Sequence, residues 1–178
     1  GAVAWGGLDL SSNTDLTAFG LVTPAGDGWM ADTLCWLPQG SLERVEAQCH
    51  VPLGRWAREG WLRLTEGDVV DYRQVRADIL ARVNALGCQI AEIGYDPFAA
   101  TETVQYLQDE GITMVPIRQT YMSLSPPTKA LERLVLGSTA KRPLFRHRGH
   151  PVLRWMADCI DVARDQNDNI KPAKPAFA

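Results

Sequence analysis

Gly7-Leu8-Asp9-Leu10-Ser11-Ser12-Asn13-Thr14-Asp15-Leu16-Thr17-Ala18-Phe19-Gly20 is the stretch that decides how this chain folds. An apolar run from Val3 to Leu8 leads into one carboxylate, Asp9, and a second strand-like run from Leu16 to Val22 leaves the turn. Ser, Asn, Thr and Asp between two apolar segments spell a β-hairpin, because their side chains satisfy turn backbone locally. Strand residues alternate faces, so Asp9 shares a face with Gly7 and Ser11. A carboxylate there is solvated, paired or metal-bound, or it merely opens the turn; left alone in apolar surroundings it would be costly.

The pattern extends outward from that hairpin. Val3–Leu10, Leu16–Thr23 and Trp29–Trp36 read as a three-strand antiparallel meander, with Pro24-Ala25-Gly26-Asp27-Gly28 as its second turn. Ser41 opens a helix that runs to about Cys49, a second helical piece covers Arg55–Glu59, and Trp61–Thr65 alternates as a short edge strand. Asp71 caps a long helix whose Val75, Ile79, Val83 and Leu86 share a face, and Gly87 stops it. Gln89–Tyr95 is a buried strand ended by Asp96-Pro97, since proline cannot continue a central ladder. Thr101–Glu110 is helical and Thr113–Ile117 is a further strand. Pro126-Pro127 is expected to start another helix. Asp158 and Asp161 are placed on a helix that packs Trp155 and Ile160 inward, and Asp165 is placed near a strand end. The order predicts an α/β domain with a mixed sheet, the meander plus parallel strands, flanked by helices.

Composition narrows the function. The chain has 178 residues, enough for one domain with a real core. No apolar run approaches the ~20 residues of a membrane span, and no basic-then-apolar leader is visible at the N-terminus. The first strand begins almost at residue 1, which reads as a piece of a longer protein. Cys35, Cys49, Cys88 and Cys159 are widely spaced and form no C-x-x-C pair, so they are expected to be reduced core residues of a cytosolic protein. His147 and His150 lie among Arg146, Arg148 and Arg154, which reads as a basic surface. Net charge is −3, yet Lys129, Arg133, Lys141, Arg142, Arg146 and Arg148 fall in one stretch that could contact phosphates.

Ligands in such sheets gather at the carboxyl ends of neighbouring strands. If the first strand and the Gln89 strand are adjacent and parallel, Asp9 and Asp96 meet there. Two carboxylates ~4 Å apart repel by roughly 4 kcal/mol at an effective dielectric near 20. Such a pair is kept for a proton or a divalent cation, and oxygen-only ligands suit Mg²⁺ or Mn²⁺. Two such ions can serve phosphodiester cleavage with no Ser, His or Cys nucleophile.

Taken in order, Gly7-Leu8-Asp9-Leu10-Ser11-Ser12 with Asp15-Leu16-Thr17, Ile93-Gly94-Tyr95-Asp96-Pro97, Ser125-Pro126-Pro127 with Lys129, His150-Pro151-Val152-Leu153-Arg154-Trp155, and Asp165 with Asn169-Ile170-Lys171-Pro172 and Lys174 resemble the nuclease domain of the large terminase subunit of tailed bacteriophages. The resemblance covers nearly the whole chain, and it is the ordered set that is specific. It implies an RNase H-like fold and a two-metal endonuclease, with two Mg²⁺ or Mn²⁺ ions, cutting double-stranded DNA during genome packaging. It also implies one nuclease domain over residues 1–178, the C-terminal half of a larger packaging protein. The implied partners are that protein's ATPase domain, the small terminase subunit and the portal, in the cytoplasm of the infected host. The metal-binding acids carry over to Asp9 and Asp96, and Asp15 matches a further acid in some relatives.

Two departures matter. No Gly-Lys-Ser/Thr phosphate loop is present, so the chain lacks the motor half. The family's third catalytic acid follows the Lys-rich stretch, so it is expected beyond Ala178, with Asp165 as the in-chain fallback. Lys171-Pro172-Ala173-Lys174-Pro175-Ala176 is expected to open a mobile tail over residues 171–178. Three other readings stay open. The hairpin also resembles the phosphate-binding turn of actin-like ATPases and sugar kinases, but Pro97-Phe98-Ala99-Ala100 supplies no Gly-rich second turn. The others are a Holliday-junction resolvase of the same fold and a non-cutting domain that docks DNA or portal.

Overall fold

The computed structural model describes residues 1–11, 15–98 and 100–174. Strands β1 (Val3–Asp9), β2 (Thr17–Ala25) and β3 (Gly28–Pro38) form the expected antiparallel meander. Helices α1 (Leu42–Cys49) and α2 (Leu53–Arg58) lead to the short β4 (Arg63–Thr65), which adds parallel to β3. Helix α3 (Tyr72–Leu86) then crosses to β5 (Gln89–Tyr95), which lies parallel against β1. After α4 (Thr101–Asp109), β6 (Met114–Pro116) extends the parallel side. The sheet order is β4-β3-β2-β1-β5-β6. Helix α5 (Tyr121–Leu136) is followed by the two-residue β7 (Phe145–Arg146) on β3, then α6 (Pro151–Asp158). The chain closes on a separate hairpin of β8 (Asp161–Arg164) and β9 (Ile170–Ala173).

Local chemistry sets these boundaries. The Asp71 carboxylate accepts from the Arg73 N–H at the start of α3, and Gly87 ends it at φ +59°, where a side chain would be strained. β1 alternates as its sequence demands, with Ala4 and Leu8 buried and Trp5, Gly7 and Asp9 exposed. Ala4, Leu8, Phe19, Leu34 and Trp36 pack with Val75 and Ile79 of α3 and Leu107 of α4, building the main core on one face of the sheet. A second cluster of Cys35, Leu37, Val45, Leu53, Leu62 and Val152 covers the other face at its β3 end with α1, α2 and α6. Over Gly7 and Gly20 that second face is open: a Cβ built on either glycine meets nothing within 4 Å. Asp9 stands on this face.

Four expectations need correction. Pro126 and Pro127 do not start α5; they lie inside it, and Thr120 caps it through the Ser123 N–H at 3.2 Å. The bond that Pro126 cannot make falls opposite Met122, which is exposed, so water can serve that carbonyl. Asp161 is the first residue of β8, not helical, and Ile160 is 52% exposed, because α6 stops at Asp158. Lys171–Ala173 are not a mobile tail but lie in β9: Pro172 sits on a two-stranded edge, where its missing N–H costs little, and the buried Ile170 N–H donates to Ser125 Oγ at 3.1 Å. Residues 175–178 fall outside the described part. Cys159 is exposed, so it is no core residue; all four cysteines are free.

Candidate active site

Register builds the site. Leu8 of β1 pairs with Tyr95 of β5, so Asp9 and Asp96 leave adjacent parallel strands at the same level. This is the meeting that the sequence predicted. Asp96 Oδ1 accepts from the Phe98 N–H at 3.0 Å, closing a turn that carries the chain away past Pro97. The β1–β2 turn is fastened from three sides. The Ser11 N–H donates to Thr17 Oγ1 at 3.1 Å, the Ser11 hydroxyl donates to the Asp15 carbonyl, and the Tyr72 hydroxyl at the start of α3 donates to the Ser11 carbonyl at 2.7 Å. Thr17 is fully buried, so the turn is anchored in the core immediately beside the acid. Asp15 pairs with the Lys174 ammonium at 2.5 Å, which ties the end of β9 to the turn.

The electrostatics converge on Asp9. Its carboxyl is held above the ordinary value of 3.8, first by desolvation, then by the negative charges of Asp96 and Asp15, while Lys174 acts the other way. Asp9 is exposed to solvent on its outer side and crowded by protein atoms on its inner side. The Lys174 ammonium is in turn held above its usual range by its hydrogen bond and charge pairing with Asp15, with Asp9 adding. Asp9 thus feels the charges of both other carboxylates, and oxygen is the only donor the three offer. Among the described residues no three His, Cys, Asp or Glu side chains stand close enough to hold a metal together. The Asp9–Asp96 pair offers oxygen donors alone, the kind that suits Mg²⁺ or Mn²⁺, and Asp15 is engaged by Lys174.

The other expected residues lie elsewhere. Asp165 serves its own turn: Oδ1 accepts from the Asn167 and Asn169 N–H groups at 2.8 and 2.9 Å, and Oδ2 from the Asn169 amide at 2.9 Å. Those bonds, the Asn169 side chain first, hold its carboxyl below the usual range, with the Lys129 charge a smaller cause. The six basic residues do not form one surface. Lys129 on α5 donates to the Asp168 carbonyl at 2.9 Å, and Arg133 follows one turn later. Arg142 reaches Asp27 at 3.5 Å beside the second turn of the meander, and Lys141 precedes it. Arg146 is level with Met30, five residues from Cys35, which is level with Asp9 across Ala18; that is about 17 Å along the strand. His150 is buried, not part of a basic surface: its Nδ1 accepts from the Leu153 N–H and caps α6. The Cys35 thiol is pushed up to about 12 by burial, which removes it as a nucleophile.

Sequence reasoning missed Lys174 and Tyr72. Lys174 is 159 residues from Asp15, and no local pattern announces such a pairing. Tyr72 follows the Asp71 cap, and nothing local announces that its hydroxyl reaches Ser11, 61 residues away.

Comparison with known proteins gives the family and the fold. Residues 1–177 match the model of the endonuclease domain of the terminase large subunit. The large terminase subunit of Enterobacteria phage HK97 is 32% identical over 170 residues, covering 94% of this chain and 32% of that protein. Protein YmfN of Escherichia coli K12 is 30% identical over 145 residues, covering 78% of this chain and 30% of that protein. The crystal structure of the HK97 large terminase superposes with a TM-score of 0.85 at 30% identity, over 97% of this chain and 35% of that one. The large terminase nuclease of thermophilic phage G20c shares the fold, with a TM-score of 0.56 at 10% identity over 99% of this chain and 75% of that one. The chain thus spans about a third of the length of the curated relatives it matches. Its mixed sheet, meander first and parallel strands after, is the RNase H-like architecture of those nucleases, and the chain belongs to the terminase large subunit endonuclease domain family.

Proposed function

We propose that this domain is a cation-dependent endodeoxyribonuclease that cuts double-stranded phage DNA during genome packaging. The observation that carries the reading is the level pair Asp9 and Asp96 at the ends of adjacent parallel strands, with the charge of Asp96 felt at Asp9. Like charges so placed are relieved by a cation. Two Mg²⁺ or Mn²⁺ ions, when bound, would stabilise charge on the attacking and leaving oxygens of a phosphodiester. The chain supplies the rest. Asp9 and Asp96 hold the ions, the Thr17–Ser11–Tyr72 bonds keep Asp9 from shifting with the turn, and the open face above Gly7 lets a backbone approach. Two carboxylates offset only half the charge of two divalent ions, so a third acid is needed. Among the acids of this chain Asp15 is the one whose charge reaches Asp9, but it pairs with Lys174 and would have to leave that ammonium to serve, whereas both oxygens of Asp165 bond to their own turn.

The test is plasmid nicking in Mn²⁺. Asp9→Asn and Asp96→Asn each lower the rate by about a hundredfold or more, a loss on the scale of removing a principal electrostatic element, with far-UV circular dichroism unchanged. Wild-type rates in either variant would overturn the assignment. Asp15→Asn weakens Mn²⁺ dependence, and Asp165→Asn leaves it alone; the reverse result would make Asp165 the third ligand.

The domain's place in a larger protein rests on its relatives. A large terminase of similar fold, from another thermophilic bacteriophage, has been solved in complex with ATP-γ-S. We place this nuclease in the same chain as an ATPase domain, acting with a small terminase subunit and a portal in the host cytoplasm. Among the described residues no helix is long and apolar enough to cross a membrane.

A further inference from the structure

Phe98 is the most exposed large apolar side chain among the described residues, at 84%. The next most exposed phenylalanine, tyrosine or tryptophan there is Tyr106, at 38%. Phe98 belongs to neither core cluster, and it takes part in no aromatic contact among the described residues. A lone apolar side chain in water is ordinary on a protein surface, so its place decides what it means. Phe98 stands two residues past Asp96, where the chain passes from β5 towards α4.

The ring is carried by a fastened stretch. The Phe98 N–H donates to Asp96 Oδ1 at 3.0 Å, and Pro97 between them has a fixed φ. Ala100 is buried at the foot of α4, and Arg76 of α3 clamps the first turn of that helix through Glu102 at 3.0 Å while lying over the Tyr106 ring. On the other side the Ile117 N–H donates to the Tyr95 carbonyl at 2.8 Å, so the chain after β6 steadies the strand that ends in Asp96. The Phe98 nitrogen is thus closer to the Asp96 carboxylate than the ~3.4 Å that one nucleotide occupies along a strand. A phosphodiester held at Asp96 brings its neighbouring nucleotide to Phe98. A benzyl ring has no group to offer a phosphate or an ion; it gains only by leaving water against sugar or base.

We propose that Phe98 is an apolar wedge that enters the duplex at the base step beside the phosphate to be cut. The inference rests on the nuclease reading above and adds a residue that meets the bases. Apolar side chains inserted between base steps partly unstack them and kink the duplex. Unstacking costs least at pyrimidine–purine steps, so the ring biases cutting towards TA and CA/TG. Acids and cations read only the phosphate, so without the ring the site has no such bias. A protein partner seated on Phe98 would cover Asp96 as well and shut the site it adjoins, which favours DNA as the occupant.

Binding is measured by fluorescence anisotropy in EDTA and in the Asp9→Asn background, so that neither metal nor cutting enters. Two duplexes of equal length and of A·T pairs only are compared, one of alternating TA steps and one a stiff uninterrupted A-tract. Phe98→Ala is expected to weaken binding to the TA duplex about tenfold and to remove the preference for it over the A-tract. The slope of log affinity against log salt stays the same, because the ring neutralises no phosphate. Phe98→Leu, still an apolar wedge, keeps most of the affinity. The ring is exposed, so its removal leaves the fold intact. Plasmid nicks made in Mn²⁺ with Asp9 in place are then mapped. They gather at TA and CA/TG steps, and in Phe98→Ala they spread evenly with the Mn²⁺ dependence unchanged. Wild-type affinity of Phe98→Ala for the TA duplex overturns the proposal and gives the ring to a protein partner. Nicks without step preference in the unaltered chain, or a preference kept in Phe98→Ala, overturn it too. Failure of the nuclease reading shows separately, as wild-type nicking by Asp9→Asn and Asp96→Asn.

Discussion

Asp9 costs the folded chain something when no cation is present. Its carboxyl is raised above 3.8 by desolvation and by Asp96 and Asp15, so the native state binds the Asp9 proton more tightly than the unfolded chain does. The sign follows: this contribution becomes less unfavourable as pH falls through the raised value, and it is fully unfavourable at neutral pH. In EDTA at pH 7, Asp9→Asn should therefore melt at a higher temperature than the wild type, with the gap closing as the buffer is taken down towards pH 4. Mn²⁺ should raise the melting temperature of the wild type and leave that of the variant unchanged. A variant that melts at or below the wild type in EDTA would mean that the repulsion is not felt. Lys174 offers a second test at this scale. Its ammonium lowers the Asp9 carboxyl and holds Asp15. Lys174→Met should move the acid limb of the nicking pH profile to higher pH, because Asp9 then keeps its proton longer. An unmoved limb would leave the ammonium with only a role in docking β9.

Gly28 is where element contacts can be tested without touching the acids. A Cβ there would sit 2.2 Å from the Leu144 carbonyl oxygen, which accepts the Trp29 N–H at 2.8 Å as β7 begins. Backbone cannot step aside as a flexible side chain can. Gly28→Ala should cost about 1–3 kcal/mol, the usual range for overpacking. In a domain of this size that lowers the melting temperature by roughly 2–4 °C per kcal/mol. Gly20→Ala, with open space at its Cβ, is the control and should stay near wild type. Equal melting of the two variants would show that β7 is not held at Gly28. Strands and helices with strong local signals were legible in the sequence: β1 through alternation, α3 through its Asp71 cap and Gly87 stop, β5 through Pro97. Elements fixed by tertiary partners were not. α5 runs through two prolines because Thr120 starts it earlier and the two carbonyls left without a donor belong to Met122 and Ser123, both exposed. β9 exists because β8 pairs with it across a short turn and Ser125, 45 residues back in the chain, receives the Ile170 N–H, which no local pattern announces.

At the scale of the molecule, the meeting of Asp9 and Asp96 was legible and the placement of Asp165 and of the basic residues was not, for one physical reason. Asp9 and Asp96 end adjacent strands, so topology alone brings them together. The stretch from Lys129 to Arg148 crosses from α5 to β7, and its charges divide between two places. β9 runs from Ile170 beside Ser125 to Lys174 beside Asp15, about 14 Å away. Lys129, bonded to the Asp168 carbonyl, is therefore one strand length from the acids, with Arg133 a turn beyond. Arg146 stands at the opposite end of β3, and the exposed Arg148 follows two residues on. A duplex seated on Asp9 and Asp96 should use Lys129 and Arg133 for two phosphate contacts, each contributing roughly 0.9 to the slope of log affinity against log salt. Reversal of both to Glu should lower that slope by about 1.8. Reversal of Arg146 and Arg148, which stand away from the acids, should leave it nearly unchanged. The measurement is fluorescence anisotropy on a short duplex in EDTA, in the Asp9→Asn background so that nothing is cut. Equal losses from the two pairs would mean one continuous DNA track along the whole stretch. No loss from Lys129 and Arg133 would mean that the duplex reaches the acids from the side away from α5.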